Sequence, residues 1–273
     1  MPQPQGAGGV FDRVADTYDA VGVPWFTPIA AGLVEQLAVQ PGERVLDIGC
    51  GRGAALRPLA EATGPHGRAV GIDLAPRMVE LTARDLADLA QVEVLVGDAQ
   101  APAFPPASFE VVSASLVLFF LPDPAAALAA WTALVAPGGR VGVTTFGAQD
   151  ERWRALDEVF LPYLPPALLD ARTSGRTGPF ATDAGMEGLF AGAGLTQIRT
   201  VTRAVHAVAR DAEHLLAFTR SHGQRAMWDA VPPEAHDDVR AQVVSLADRL
   251  ATDGGIALGQ EVRYTLGVRP VAS

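Results

Sequence analysis

The segment Arg44-Val45-Leu46-Asp47-Ile48-Gly49-Cys50-Gly51-Arg52-Gly53 sets an acid two residues before three alternating glycines. Glycines let the main chain turn sharply and lie bare against a ligand. The helix-like stretch that follows, 54–62, offers the unpaired N–H groups of its first turn. Asp47 in the loop entrance predicts a nucleoside-like ligand that is cationic or carries an amine, rather than a pure phosphate cradle. Two more acids, Asp73 and Asp98, end the next two strand-like runs. Read literally, Gly49, Gly51 and Ala54 also satisfy the dinucleotide fingerprint, with Asp73 placed for its ribose contact, so the loop alone leaves a nicotinamide enzyme open.

Two features separate these ligands. Asp47 would face a pyrophosphate unfavourably, and acids at three successive strand ends suit a cationic nucleoside without phosphates. S-adenosylmethionine is such a ligand, with a sulfonium, an ammonium, a ribose diol and an adenine. Other chemistry-bearing residues are sparse. His214, Phe218 and His222 share one face of a predicted helix over 211–222 by their spacing of four. They would form a substrate-side base or donor, although a solvated face is the favoured reading. Glu151 opens a predicted helix, where an acid suits the dipole and could reach a substrate amine. Cys50 reads as a small side chain in the loop, since nothing nearby marks a lowered thiol pKa.

The elements that must position these groups alternate. Strand-like runs fall at 45–50, 69–74, 92–96, 109–116 and 140–146, with helical stretches at 54–63, 76–89 and 123–135 between them. Such alternation predicts a parallel sheet covered on both faces, with ligands at the carboxyl ends of its strands. Before it, 11–39 reads as one or two helices broken near Pro24 and Pro28. After it come a helix at 150–161, a turn-rich stretch at 162–179, a helix at 182–192, a strand at 196–206, helices at 211–222 and 233–251, and a last strand at 260–269. The organisation expected is N-terminal lid helices over 1–40, a nucleoside-binding core over 41–149, and helical cap elements with completing strands of the same domain over 150–273.

The 273 residues are 49% hydrophobic and 19% charged, enough to bury a full core. A formal charge of -10 repels phosphate backbones and anionic lipids, so nucleic-acid and membrane partners are not expected. The one cysteine rules out an internal disulfide and fits a reducing cytoplasm. The Pro/Gln/Gly-rich start over 1–9 has no apolar signal core, and no apolar run reaches membrane-spanning length. The sequence contains neither Lys nor Asn, so every basic side chain besides His is Arg and Asn can serve as no ligand.

The chain resembles the class I S-adenosylmethionine-dependent methyltransferases, in the group that includes the quinone-biosynthesis C-methyltransferases. The residues that carry the resemblance are 45–53 together with Gly71-Ile72-Asp73-Leu74, Gly97-Asp98-Ala99, Phe109-Glu110-Val111-Val112, Leu121-Pro122-Asp123-Pro124 and Ala136-Pro137-Gly138-Gly139. Upstream, Phe11-Asp12-Arg13-Val14-Ala15-Asp16-Thr17-Tyr18-Asp19 is similar to the group's N-terminal helix. The resemblance covers 10–146 closely and the remainder in outline. It implies a Rossmann-like, doubly wound α/β fold whose seven-stranded, mainly parallel sheet has an antiparallel last strand, with an N-terminal helical lid and a late helical insertion.

The resemblance also implies roles. Gly49, Cys50 and Gly51 would underlie the methionine moiety, and Asp47 would organise that loop near the amino group. Asp73 would take the ribose hydroxyls, Leu74 and Met78 would flank the adenine, and Asp98 with the Ala99 N–H would read the adenine edge. Ser115 would close the methionine end and Tyr18 would fold over it as a lid. Trp25, Phe119, Phe120, Phe146, Trp153 and Phe218 gather in the segments expected to cap the site and suggest a flat-walled apolar substrate pocket.

The chain departs from the group in its catalytic positions. Phe119-Phe120 and Thr145-Phe146 stand where several small-molecule O-methyltransferases carry a His and an acid. Without Asn, the metal-assisted trio of catechol methyltransferases is missing, and no metal is expected. Ser113-Ala114-Ser115-Leu116 replaces the amino-methylating motif of nucleic-acid enzymes. A base is needed only when the nucleophile must lose a proton. The expectation is therefore methylation of an apolar, aromatic small molecule of bacterial secondary metabolism, on carbon or nitrogen in preference to a hydroxyl oxygen, by a monomer or homodimer. The alternatives are an O-methyltransferase, a cyclase that binds the cofactor without transferring methyl, and an NAD(P)-dependent oxidoreductase.

Overall fold

The computed structural model describes residues 7–19, 21–165 and 177–271. Part of the turn-rich stretch expected at 162–179, and part of the N-terminal segment read for a signal, lie outside the described residues. Seven strands form one sheet: β1 (Arg44–Ile48), β2 (Arg68–Asp73), β3 (Val92–Val96), β4 (Phe109–Ser115), β5 (Val135–Gln149), β6 (Thr196–Ala209) and β7 (Ile256–Val268). Their order is β3-β2-β1-β4-β5-β7-β6. The first five run parallel, and β7 lies antiparallel between β5 and β6. The strand order reverses between β1 and β4, which makes their carboxyl ends the switch point where such sheets bind ligands.

The central strands are apolar because both faces are covered; Val45, Leu46, Ile48, Val111 and Val112 are fully or almost fully buried. Three helices follow the parallel strands, α3 (Leu56–Thr63), α4 (Pro76–Asp85) and α5 (Pro124–Leu134). Asp123 caps α5 by accepting the Ala126 N–H at 2.9 Å, and the prolines opening α4 and α5 sit where no helical donor is needed. Trp131 of α5 is wholly buried and donates its indole N–H to Ala99 O at 2.8 Å, which ties α5 to the turn beyond β3.

Two helices precede the sheet, α1 (Ala7–Val14) and α2 (Phe26–Leu37). Pro28 does not break α2 but lies in its first turn, where proline costs nothing. Arg140 fastens the other end of α2, donating to Leu37 O at 2.5 Å and to both Glu43 oxygens at 2.8 Å. Against the sheet, α2 comes close through Gly142, whose missing side chain makes room for Leu33 and Leu37.

Among the described residues after β5 the helices are α6 (Glu151–Glu158), α7 (Asp183–Gly192), α8 (Ala212–Arg220), α9 (Arg225–Ala230) and α10 (His236–Leu250). Helices stand where the sequence predicts them, and α9 is additional: six residues are too short for the 3.6-residue pattern to stand out. β5 begins before the predicted residue 140. The Pro137-Gly138-Gly139 stop of α5 is itself extended and trades main-chain bonds with Arg269 at 2.8 Å. Helix α4 ends at Asp85, short of the predicted residue 89. Among the described residues no helix is long and apolar enough to cross a membrane.

The seating of α2 yields a test. In a free helix, Gly to Ala gains about 1 kcal/mol. At Gly32, however, a Cβ would lie 2.6 Å from the Tyr264 hydroxyl oxygen, and overpacking of this kind costs about 1–3 kcal/mol. Gly32→Ala is therefore expected to lower the urea midpoint, and to lower it less in a Tyr264→Leu background, because the Tyr264 ring carbons Cζ and Cε1, at 2.7 and 2.8 Å, obstruct the same place as the hydroxyl. A stabilised Gly32→Ala would show that α2 is not seated this tightly.

Candidate active site

The loop after β1 is built from glycines the geometry demands. Gly49, Gly51 and Gly53 have φ of 65°, 50° and 80°, in the left-handed region that side chains disfavour. A Cβ on Gly49 would come within 2.4 Å of Val117, whereas one on Gly51 would project into open space, with only the Tyr18 ring near, at 3.9 Å. Gly51 is thus the bare floor of a cavity.

Asp73 holds that floor in place. One carboxylate oxygen accepts the Gly51 N–H at 2.9 Å and the other accepts the Ala75 N–H at 2.9 Å. Thr82 Oγ1 donates to Gly51 O at 2.7 Å. Arg52 donates to Ala15 O at 2.6 Å and pairs with Asp85. The loop is therefore pinned by β2, by α4 and by the segment after α1. That segment is anchored in turn: Asp12 accepts the Arg77 N–H at the start of α4 at 2.9 Å, and Asp16 pairs with the Arg77 guanidinium at 2.7 Å.

The cavity has a volume of about 240 Å³. Asp47, Gly49, Cys50, Gly51 and Ser115 line it from the sheet side, and Tyr18, Asp19, Phe26 and Thr27 from the lid side. Asp47 is 1% exposed, and its carboxylate accepts from Ser113 Oγ on the neighbouring strand. Burial raises its pKa to about 7; the Ser113 bond opposes the rise and the charge of Asp73 adds to it. No cation among the described residues pairs with it. Asp73 is also raised, by burial, against its backbone bonds. Burial pushes the Cys50 thiol well up, so it is an inert small wall, as expected. At the mouth, Leu116 has φ 59° and its N–H reaches Thr144 Oγ1 at 2.9 Å, a strained position at the end of a strand beside the site. Ser115 Oγ lies 3.2 Å from the same hydroxyl.

The residues expected at the adenine end fall at the open edge of the sheet. Leu74 is 57% exposed, and Asp98 is exposed, its Oδ1 accepting the Gln100 N–H at 2.8 Å. Ala99 is half-buried, with its carbonyl taken by Trp131. Met78, expected to flank the adenine, is buried with Val14, Ala15, Ala75 and Leu81 beneath α1. Val96, paired with Asp73 in the sheet, is 58% exposed. Its single exposed side chain at a strand end gave no signal in the sequence.

The expected aromatic residues are brought together. Rings run in unbroken contact from Phe120 through Phe11, Tyr18, Phe26, His222 and Phe218 to Trp25 and Trp153. Tyr18 stacks on Phe26 with centroids 4.4 Å apart, and its phenol is pushed well up by burial and by the charges of Asp19 and Asp73. Phe119 joins Phe120 to Phe146. Asp19, Phe26 and Thr27 were not anticipated at the cofactor loop. Asp19 accepts from Thr27 Oγ1 at 2.8 Å and from the Trp25 N–H at 3.4 Å, which folds the lid onto the start of α2.

The three catalytic candidates separate. Glu151 is exposed on the first turn of α6 and does not line the cavity. His214 is 6% exposed, so the solvated-face reading fails: the face of α8 that carries it is turned inward. Its Nδ1 accepts the Arg210 N–H at 3.1 Å and its Nε2 donates to Val21 O at 2.7 Å. With both nitrogens committed to backbone, His214 joins α8 to the lid loop and has none left for a substrate. His222 is also buried, with one nitrogen engaged by Gln224 N–H at 3.3 Å. Among the described residues no cluster of His, Cys, Asp and Glu could hold a metal.

The arrangement fits a cationic nucleoside. The cavity offers a bare glycine floor and a buried carboxylate without a cation, and its one basic lining residue, Arg52, is turned to Ala15 and Asp85. Comparison with known proteins agrees. Residues 45–139 match the family described as a methyltransferase domain. The nocamycin O-methyltransferase of Saccharothrix syringae is 36% identical, over 96% of this chain and 98% of its own. The aklanonic acid methyltransferase DauC of Streptomyces is 41% identical, over 59% of this chain and 74% of its own. A demethylmenaquinone methyltransferase of Lysinibacillus sphaericus is 28% identical, over 58% and 69%. In fold the chain is similar to a Haemonchus contortus phosphoethanolamine N-methyltransferase solved with S-adenosylhomocysteine; the TM-score is 0.61 at 16% identity, over 99% of this chain and 61% of that one. The fold and site define a Rossmann-like methyltransferase. The chain belongs to the S-adenosylmethionine-dependent methyltransferases that act on small molecules, and the dinucleotide reading of its glycine loop is set aside.

The buried acid sets a pH dependence. Because the folded-state pKa of Asp47 is raised to about 7, the folded chain keeps a proton that the unfolded chain releases. The contribution of this carboxyl to stability is therefore lost as pH rises from the ordinary carboxylate range to about 7, and Asp47→Asn is expected to remove that contribution from the profile. Urea titrations at about pH 5 and about pH 8 measure it. The comparison with Asp47→Asn isolates this carboxyl, because the buried His222, lowered to about 3, gains stability over part of the same window; a stability difference between the two proteins that is the same at both pH values would contradict its burial. Asp73→Ala, which frees the Gly51 and Ala75 N–H groups, is expected to weaken S-adenosylhomocysteine at least about ten-fold in calorimetry, since each bond to a charged acceptor carries about 1.5–3 kcal/mol.

Proposed function

We propose that this enzyme methylates an oxygen of a flat, apolar small molecule, one whose hydroxyl is acidic enough to ionise without help. The observation that carries this reading is the full-length relative, an O-methyltransferase aligned from end to end including the cap. The aklanonic acid methyltransferase supports it by the acidic acceptor in its name. The missing His–acid pair, which at first favours carbon or nitrogen acceptors, is also what an acceptor already ionised in water would allow.

When bound, S-adenosylmethionine supplies an electrophilic methyl whose sulfonium leaves as a neutral thioether. The chain's own contribution is placement. In this reading Asp47 and the glycine floor hold the amino-acid end. Asp73, with one lone pair of each oxygen given to the loop, turns the others to the ribose. Leu74 and Val96 cover the adenine, with Asp98 at its edge. Ser115 closes the methionine end, and Tyr18 on Phe26 shields it from water. Holding a nucleophile in line against a methyl in a dry site is most of what such a transfer requires. Trp25, Phe119, Phe120, Phe146, Trp153 and Phe218 form the flat walls for the acceptor. The buried, unpaired thiol of Cys50 fits a reducing cytoplasm.

The test is a product. With labelled methyl donor and a panel of aromatic enols, phenols, carboxylic acids and amines, the label is expected in a methoxy group by carbon NMR. Label on carbon or nitrogen would overturn the reading. Tyr18→Ala is expected to lower kcat/KM about ten-fold or more by admitting water and loosening the donor, with the fold retained in circular dichroism.

A further inference from the structure

Among the described residues, two buried polar atoms on the segment after α8 have no hydrogen-bond partner. His222 lies just beyond α8 and is 5% exposed. Its Nδ1 accepts the Gln224 main-chain N–H at 3.3 Å. Burial lowers its pKa to about 3, so the ring is neutral and its proton sits on Nε2. That Nε2 is buried without a hydrogen-bond partner among the described residues, and so is Gln224 Oε1. The orientation of the Gln224 amide is fixed from its other side, where Nε2 donates to Asp157 Oδ1 at 3.2 Å. Asp157 is itself held by Gln149 Nε2 at 2.9 Å. This segment therefore presents one unmatched donor and one unmatched acceptor on neighbouring residues.

Leaving such a group bare costs about 1–3 kcal/mol, and buried polar groups without partners are rare enough to require an explanation. Their position supplies one. The His222 ring stands edge-on to Phe26 at 5.8 Å and 4.4 Å from Phe218. Phe26 lines the cavity under Tyr18, so the imidazole is one ring away from the methionine end. A general base is not what this geometry offers: the nitrogen with a lone pair is taken by the backbone, and the other carries the proton.

We propose that His222 Nε2–H and Gln224 Oε1 read the acceptor molecule together. The imidazole donates to a carbonyl or enolate oxygen, and the amide accepts from a hydroxyl beside it. The proposal rests on the acceptor being a flat small molecule, as above, and names its class: an aromatic compound with a carbonyl next to a hydroxyl. Selectivity follows, because a molecule lacking either group leaves a buried partner unpaired.

Equilibrium binding tests this without methyl transfer, so its outcome is independent of which atom receives the methyl. With S-adenosylhomocysteine present, calorimetry is run with alizarin, which has a carbonyl beside a hydroxyl, with anthraquinone, which has carbonyls alone, and with anthracene, which has neither. Wild type is expected to prefer each over the next by about ten-fold. His222→Phe fills the same space without the donor. It is expected to bind anthraquinone no better than anthracene, with its melting temperature held or raised and its affinity for S-adenosylhomocysteine unchanged. His222→Gln, which returns an N–H near the same place, is expected to recover most of the loss. Gln224→Met is expected to bring alizarin down to the level of anthraquinone. A wild type without preference among the three, or a folded His222→Phe that binds alizarin undiminished, overturns the proposal.

Discussion

The carboxylate of Asp73 is the constraint on which the site depends. By accepting the Gly51 and Ala75 N–H groups it ties the loop after β1 to the turn after β2 and aligns the start of α4. That helix start is then available to Asp12, which brings the segment containing Tyr18 over the loop. Together with the Thr82 bond to Gly51 O and the Arg52 bond to Ala15 O, this link holds three positive-φ glycines in one conformation and keeps floor and lid in register.

Electrostatics and shape complement each other at this point. A carboxyl buried at Asp47 with no cation paired to it among the described residues is costly when charged, a cost that a cationic ligand could repay. Beside it, the rings from Phe120 to Trp153 make one connected layer, in which the buried His222 Nε2 has no hydrogen-bond partner among the described residues. The late strand pair β6–β7 matters chiefly as the frame that brings α8 back to the segment before α2, where His214 meets Val21 and Phe218 meets Trp25.

Much of the fold was legible in the sequence. Strands 45–50, 69–74 and 92–96 were readable because buried parallel strands are continuous apolar runs between glycines and prolines. The place of Asp47 beside a cavity was legible because the glycines after it mark the end of a strand next to the switch point, and the structure buries it there. What could not be read was of two kinds. Short or irregular pieces such as α9 and the extended Pro137-Gly138-Gly139 lack a period long enough to detect, and the latter pairs only because Arg269 arrives beside it. Side chains whose role depends on a partner far along the chain were misjudged, as with His214, which spacing places on a helix face but which Val21 draws inward.

The sequence by itself determined the class of ligand. Glycine spacing and the acids at strand ends are local, and each follows from residue type and order. Tertiary structure alone decided which histidine is committed and which is left bare, that Met78 is buried beneath α1 while Val96 is exposed beside Leu74, and that Asp19 and Thr27 close the lid. These depend on surfaces distant in sequence meeting in space, and a hydrogen bond or a buried charge is defined only once both sides are present.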